Sequence, residues 1–128
     1  TLGDLLETYQ TDRVSTFHKL RYHVRQNARS ILRRLIEKCG HVELSAIKHR
    51  QLVEWHMDWS AGGKFASAHS LIGQIRVACN YGAAMLENEQ CERIAMVLHR
   101  MKFPHGPART ERLARLYNDE YNNNSINL

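Results

Sequence analysis

The chain has 128 residues, 43% of them hydrophobic and two of them proline, which suffices for one compact core and is too short for two domains of ordinary size. No run approaches the ~18 apolar residues that a membrane-spanning helix requires, and the N-terminus lacks the layout of a signal peptide, so we expect a soluble protein inside the cell. The net charge of +5 is concentrated in one segment: residues 16–38 contain seven basic side chains and one acidic side chain. The rest of the chain contains eleven basic and twelve acidic side chains, which excludes a generally basic surface.

Apolar residues at helical spacing begin at the N-terminus. Thr1 can cap a short first helix, with Asp4 three residues later. A second helix of about six turns is expected to begin at Ser15 or Thr16 and to end at Gly40. Its predicted apolar stripe consists of Val24, Ala28, Ile31 and Leu35.

Three further helices are expected after residue 40. A shorter third helix is ended by Gly62 and Gly63, and a long fourth helix has apolar positions from Phe65 to Leu86 at spacings of three, four or seven residues. Asn88 can cap a fifth helix, which ends before Pro104. Since no segment alternates with a period of two, the prediction is an all-α bundle of four to five helices.

Basic side chains line one side of the predicted second helix. At ~100° per residue, positions four apart drift by only ~40°, so arginines at this spacing form a ridge. We call Arg21, Arg25, Arg29 and Arg33 the basic ridge; His18 and Lys19 lie near its N-terminal end. Arginine is permanently charged and makes forked hydrogen bonds to phosphate oxygens. A solvated basic face is the alternative, but the concentration of the whole charge excess here favours a nucleic-acid ligand.

The predicted fourth helix has a polar face near its beginning. Its members are Lys64, Ser67, Ser70 and Gln74. Short hydroxyl groups and an amide suit a helix that approaches base edges in a major groove. The same residue types also occupy ordinary surface positions, and that alternative stays open.

Histidines and cysteines show no ligand spacing. The eight histidines are scattered, and no pair stands four residues apart beside a glutamate as in a zinc helix. Cys39, Cys79 and Cys91 are odd in number and far apart in the chain. We therefore expect no metal, no cofactor, and cysteines that behave as small apolar side chains. Spacing leaves open a cysteine–histidine nucleophile, since such a pair meets only in the fold, but no glycine-rich turn or strand presents one. No residue is predicted as catalytic, and a hydrolase or metalloenzyme that uses the histidines is a third alternative.

Four stretches of the chain follow one another in a specific order, although no single motif among them is diagnostic. They are STFHKLRYHVRQNARSILRRL, LSAIKHRQLVEWHMDW, GGKFASAHSLIGQIRVACNYGAAML and NEQCERIAMVLHRMKF. Their succession resembles the N-terminal core-binding domain of tyrosine recombinases, the phage-integrase family. The resemblance covers residues 1–105, although Lys48 stands where members often begin the third helix with a serine or threonine.

The resemblance implies a SAM-like orthogonal bundle over residues 1–105 that forms one half of a clamp around double-stranded DNA in DNA integration and site-specific recombination. Arg21, Arg25 and Arg29 would then contact phosphates, and the polar face of the fourth helix would lie nearest the bases.

The resemblance also implies that the chemistry belongs to a missing C-terminal catalytic domain, so that this chain is not an enzyme. Residues 106–128 would be a linker and a disordered tail leading to that domain. The expected partners are this domain and other recombinase protomers on DNA, with no membrane, in the cytoplasm at the nucleoid. The alternative that the residues leave open is a helical protein-interaction module that docks an acidic partner.

Overall fold

Helices account for all the regular secondary structure in residues 1–103, which are the residues that the computed structural model describes. This range has no strand, so the prediction of an all-α chain with four to five helices is confirmed there. Residues 106–128, predicted as a linker and tail, lie outside it. The five helices are α1 (Leu2–Thr11), α2 (Tyr22–Cys39), α3 (His49–Trp59), α4 (Phe65–Met85) and α5 (Glu89–Arg100).

Two helices begin as their local sequence predicts. The Thr1 side chain accepts a hydrogen bond from the Asp4 backbone at 3.2 Å, and the Asp4 carboxylate accepts one from the Thr1 amino group at 3.2 Å, which makes a capping box at α1. The Asn88 side chain accepts a hydrogen bond from the Cys91 backbone at 3.0 Å and caps α5. Both caps use residues within three positions of one another.

The second helix is shorter than predicted, and the prediction of a single helix that begins at residue 15 or 16 is wrong. Ser15 caps a 3-10 turn over Thr16–Lys19, and Leu20 then adopts an extended conformation, with φ −71° and ψ 146°. Burial explains the break: the Phe17 side chain is 0% exposed, and its ring centre lies 5.5 Å from that of Tyr9 on α1. Anchoring this ring in the core forces the chain to turn before α2 begins.

The first turns of α2 extend beyond the core. Residues 22–27 are all exposed or half-buried, and Val24, a predicted member of the apolar stripe, is 42% exposed. Burial begins at Ala28 and includes Ile31 and Leu35 as predicted. The exposed beginning of α2 therefore belongs to the surface, where it can meet a ligand.

Helix α4 lies at the centre and packs against the other four helices. Its buried side chains are spaced as predicted up to Gly82, but Leu86 follows the end of the helix and is 44% exposed, contrary to prediction. At Gly82 an added Cβ would overlap the Sγ atom of Cys91, so glycine permits the close approach of α5. The three cysteines are buried, as expected. Within the described range no helix is long and apolar enough to cross a membrane.

Candidate nucleic-acid interface

The six side chains predicted to meet phosphates lie on two elements rather than on one helix. His18 and Lys19 are exposed on the 3-10 turn, and Arg21 is the exposed, extended residue that immediately precedes α2. The other three ridge residues, Arg25, Arg29 and Arg33, lie on α2, where their eight-residue span corresponds to about 12 Å along the axis. The structure thus divides the basic ridge between α2 and the chain just before it.

Two ridge arginines brace the turn that precedes α2. The Arg25 guanidinium donates from Nη1 to the backbone oxygen of His18 at 3.3 Å. The Arg29 guanidinium carbon lies 5.4 Å from the centre of the Phe17 ring, a cation–π arrangement, and its Nη1 donates to Oε1 of Gln26 at 3.3 Å. Both side chains are half-buried. Their charges are held in place, which reduces the side-chain entropy lost when a ligand binds.

Within residues 1–103 the cations of α2 form no ion pair with an acid. Over residues 1–103, the ion pairs join the N-terminal amine to Asp4 and to Glu43, and Arg50 to Glu54. None of them includes a cation of α2 or of the turn before it, and Glu37 is the one acid in segment 16–38. The basic surface is therefore available to an external anion.

The predicted polar face of α4 lies beside α2. Arg34 on α2 donates from Nη2 to Oγ of Ser67 on α4 at 3.1 Å. Lys64 and Ser70 are exposed, and Ser67 is half-buried. The contact brings the second half of α2 next to the first half of α4.

Gln74 differs from the rest of that face. It is half-buried, and its Oε1 atom is buried with no hydrogen-bond partner among residues 1–103. A contact between Oε1 and a base therefore requires the side chain to rotate outward, and the predicted base contact of Gln74 stays a prediction.

Arg34 was missing from the residues predicted for the site. It follows Arg33 directly, but helical geometry places it ~100° away from the ridge, toward α4. The spacing of residues in the sequence identifies side chains that share one side of a helix. It does not show which other helix packs beside them, because that depends on the tertiary fold. The charge excess of residues 16–38 was the available signal, since Arg34 contributes to it.

The helix ends add to the positive potential. Helices α1 and α5 have side-chain caps and acids in their first turns. Helices α2, α3 and α4 instead follow basic residues, Arg21, Lys48 and Lys64, and have no side-chain cap and no acid in the first turn. Because the N-terminal end of a helix carries a partial positive charge, the ends of α2 and α4 reinforce the basic side chains of the candidate site.

The perturbed titratable groups lie elsewhere and serve the fold. The Tyr81 hydroxyl donates to Oδ2 of Asp12 at 2.5 Å, linking α4 to the end of α1. Burial and this hydrogen bond raise the pKa of Tyr81 to about 12, and the same bond lowers the pKa of Asp12. Burial raises the pKa of Cys39 to about 11, as expected for an unreactive thiol.

Two larger grooves of the described part lie on the side of α3 and α5. One of about 570 Å³ includes Met96, Val97 and Arg100, and another of about 640 Å³ includes Met57 and Phe103. A smaller groove of about 250 Å³ lies between Thr16 of the 3-10 turn and the second half of α4. Over residues 1–103 no cluster of three or more histidine, cysteine or acidic side chains is arranged to hold a metal ion. A row of exposed cations suits an extended polyanion better than a small molecule.

The functional interpretation rests on these residues and their geometry. Exposed cations from the turn and α2 lie beside a short polar face from α4, and the Arg34–Ser67 hydrogen bond connects them. Comparisons of the chain with family models, with curated proteins and with solved structures found no match.

Proposed function

We propose that this chain binds double-stranded DNA through α2, the turn before it and the start of α4. The observation that carries the proposal is the uncompensated charge of α2: over residues 1–103, no acid forms an ion pair with any of its cations. Phosphates supply the missing negative charge, and arginine forks match their oxygen atoms. The ridge residues would hold the backbone, and the polar face of α4 would approach the base edges.

The proposal extends to the family that the sequence resembles. The chain would be the core-binding domain of a phage-type integrase, a tyrosine recombinase, with its helices in a SAM-like orthogonal bundle that forms half of a clamp on DNA. The order of the five helices supports this part of the proposal. Cleavage and joining of strands would belong to a separate catalytic domain, so this chain would not be an enzyme. Its partners would be that domain and other protomers on DNA at the nucleoid.

Fluorescence anisotropy with a short labelled duplex tests DNA binding directly. At low salt we expect saturable binding, weakening to the micromolar range or above at physiological salt, as backbone-dominated binding does. The absence of binding at low salt, or affinity that does not respond to salt, would refute the proposal.

Competition distinguishes the alternative, a helical module that docks an acidic partner protein. That alternative predicts that an acidic helical peptide binds the ridge and that duplex DNA competes no better than heparin at equal charge. DNA binding predicts that unlabelled duplex displaces the probe more effectively than heparin or the peptide. Arg50→Gln serves as the control, because Arg50 lies on α3 and is paired with Glu54 at 3.3 Å.

A further inference from the structure

Arg34 occupies a different side of α2 from the basic ridge. At ~100° per residue it lies ~100° around the helix from Arg33 and ~140° from Arg29. Its Nη2 atom donates to Oγ of Ser67, 33 residues later in the chain, at 3.1 Å. The side chain is nevertheless exposed. It is therefore an accessible cation held at the junction of two helices.

The hydrogen bond to Ser67 leaves most of the guanidinium free for a ligand. A guanidinium carries five N–H donors in a planar fork, and Ser67 accepts from one of them. No acid within residues 1–103 forms an ion pair with Arg34, and this includes Glu37, three residues later on the same helix. Within residues 1–103, the other N–H groups of the Arg34 guanidinium are therefore not paired with a carboxylate.

The position of Arg34 beside α4 suits a contact with a base. Base recognition requires a donor fork held in one orientation. Arg25 and Arg29 are also restrained, but against the turn before α2, whereas Arg34 is held against the polar face of α4. Ser67 supplies that restraint, and its neighbour Ser70 is small and exposed, which leaves room for a close approach. Guanine presents the O6 and N7 acceptors in the major groove that an arginine fork matches.

We propose that Arg34, held by Ser67, recognises a guanine in the major groove of duplex DNA. The inference rests on the DNA binding proposed above and adds a base-reading role for α2 beside the polar face of α4. A matched arginine–guanine pair discriminates against other bases by about 5- to 150-fold, so this is the preference expected at one position of the bound sequence.

Selection from a random duplex pool tests the assignment with the full chain. The wild-type protein should enrich a guanine at one position. Arg34→Ala removes every donor at this position, so it should bind the pool more weakly and lose that guanine preference, and Ser67→Ala should weaken the preference at the same position. Arg33→Ala, the matched control on the ridge, removes the same charge and should bind more weakly while enriching the same sequences as the wild type.

A modified base separates direct recognition from a structural effect of the substitutions. Replacing the selected guanine by 7-deazaguanine removes the N7 acceptor, and it should weaken wild-type binding by about fivefold or more while leaving the binding of Arg34→Ala unchanged. An equal loss for both proteins, or retention of the guanine preference by Arg34→Ala, would overturn the inference. Salt-dependent binding by the wild type with no base preference would also overturn it while leaving the proposed function intact, whereas no binding at all would remove both.

Discussion

Arg33→Gln is the cleanest perturbation of the proposed phosphate surface. Arg33 is exposed, and its side chain makes no hydrogen bond or ion pair with any other residue of the described range, so removing its charge disrupts no internal contact. If each permanently charged side chain of the surface neutralises one phosphate, log K falls with log salt concentration at a slope of about −4.5 for the wild type and about −3.6 for the variant. The five charges counted are Lys19, Arg21, Arg25, Arg29 and Arg33.

These slopes translate into a measurable contrast. Between about 50 and 200 mM salt the wild type should lose roughly 500-fold in affinity and Arg33→Gln roughly 150-fold. Anisotropy titrations of one labelled duplex at several salt concentrations give both slopes, and Arg50→Gln should reproduce the wild-type slope because Arg50 lies outside the surface on α3. An unchanged slope for Arg33→Gln, or an equal decrease for Arg50→Gln, would show that the ridge does not contact the backbone as proposed.

Two further predictions concern the fold. Gly82→Ala places a Cβ against Sγ of Cys91 and 3.0 Å from its Cβ, so it should lower the free energy of unfolding by about 1–3 kcal/mol. Gly73→Ala on the same helix meets no atom within 4 Å and should raise that free energy by about 0.5–1 kcal/mol. Urea unfolding measures both, and equal effects would contradict the packing at Gly82. The pKa of Tyr81 is higher in the folded protein than in the unfolded chain, so the protonated hydroxyl is the form that the fold favours. Its contribution to the free energy of unfolding is complete below pH ~10 and is lost as pH rises through about 12. Unfolding free energies of the wild type and Tyr81→Phe should therefore converge over that interval, and parallel pH curves would show that folding does not raise the pKa of Tyr81.

The parts of the fold that sequence patterns predicted are those that depend on neighbours along the chain. The caps at Thr1 and Asn88 use residues three positions away, so the pattern contains both partners. The break before α2 instead depends on burial of Phe17 against Tyr9, eight residues earlier and on another element. The helical spacing of apolar residues continues through residues 16–21 although the helix does not. This spacing does not indicate which aromatic ring is buried in the core.

The same distinction applies to the candidate site. The charge and the spacing of Arg25, Arg29 and Arg33 could be recognised in the sequence, because both are properties of one helix. The pairing of Arg34 with Ser67 required knowledge of which side of α2 packs against α4. The inward position of the Gln74 amide was equally inaccessible to spacing, since it depends on the packing around α4.

The charge pattern of α2 carries a cost that folding alone does not explain. The ridge places Arg25 four residues before Arg29 and Arg29 four before Arg33, and Arg34 stands four before Lys38. Like charges at this spacing destabilise a helix by about 0.2–0.5 kcal/mol a pair, so the three pairs together cost about 1 kcal/mol, and the opposite charges of Arg33 and Glu37 offset part of this cost. The buried side of α2, which flanks the ridge, holds the helix in place despite this repulsion. Arg33→Gln removes one repulsive pair and one attractive pair, so it should unfold at about the same urea concentration as the wild type while binding DNA more weakly. Weaker binding without loss of stability is the combination expected where a charge is kept for a ligand rather than for the fold.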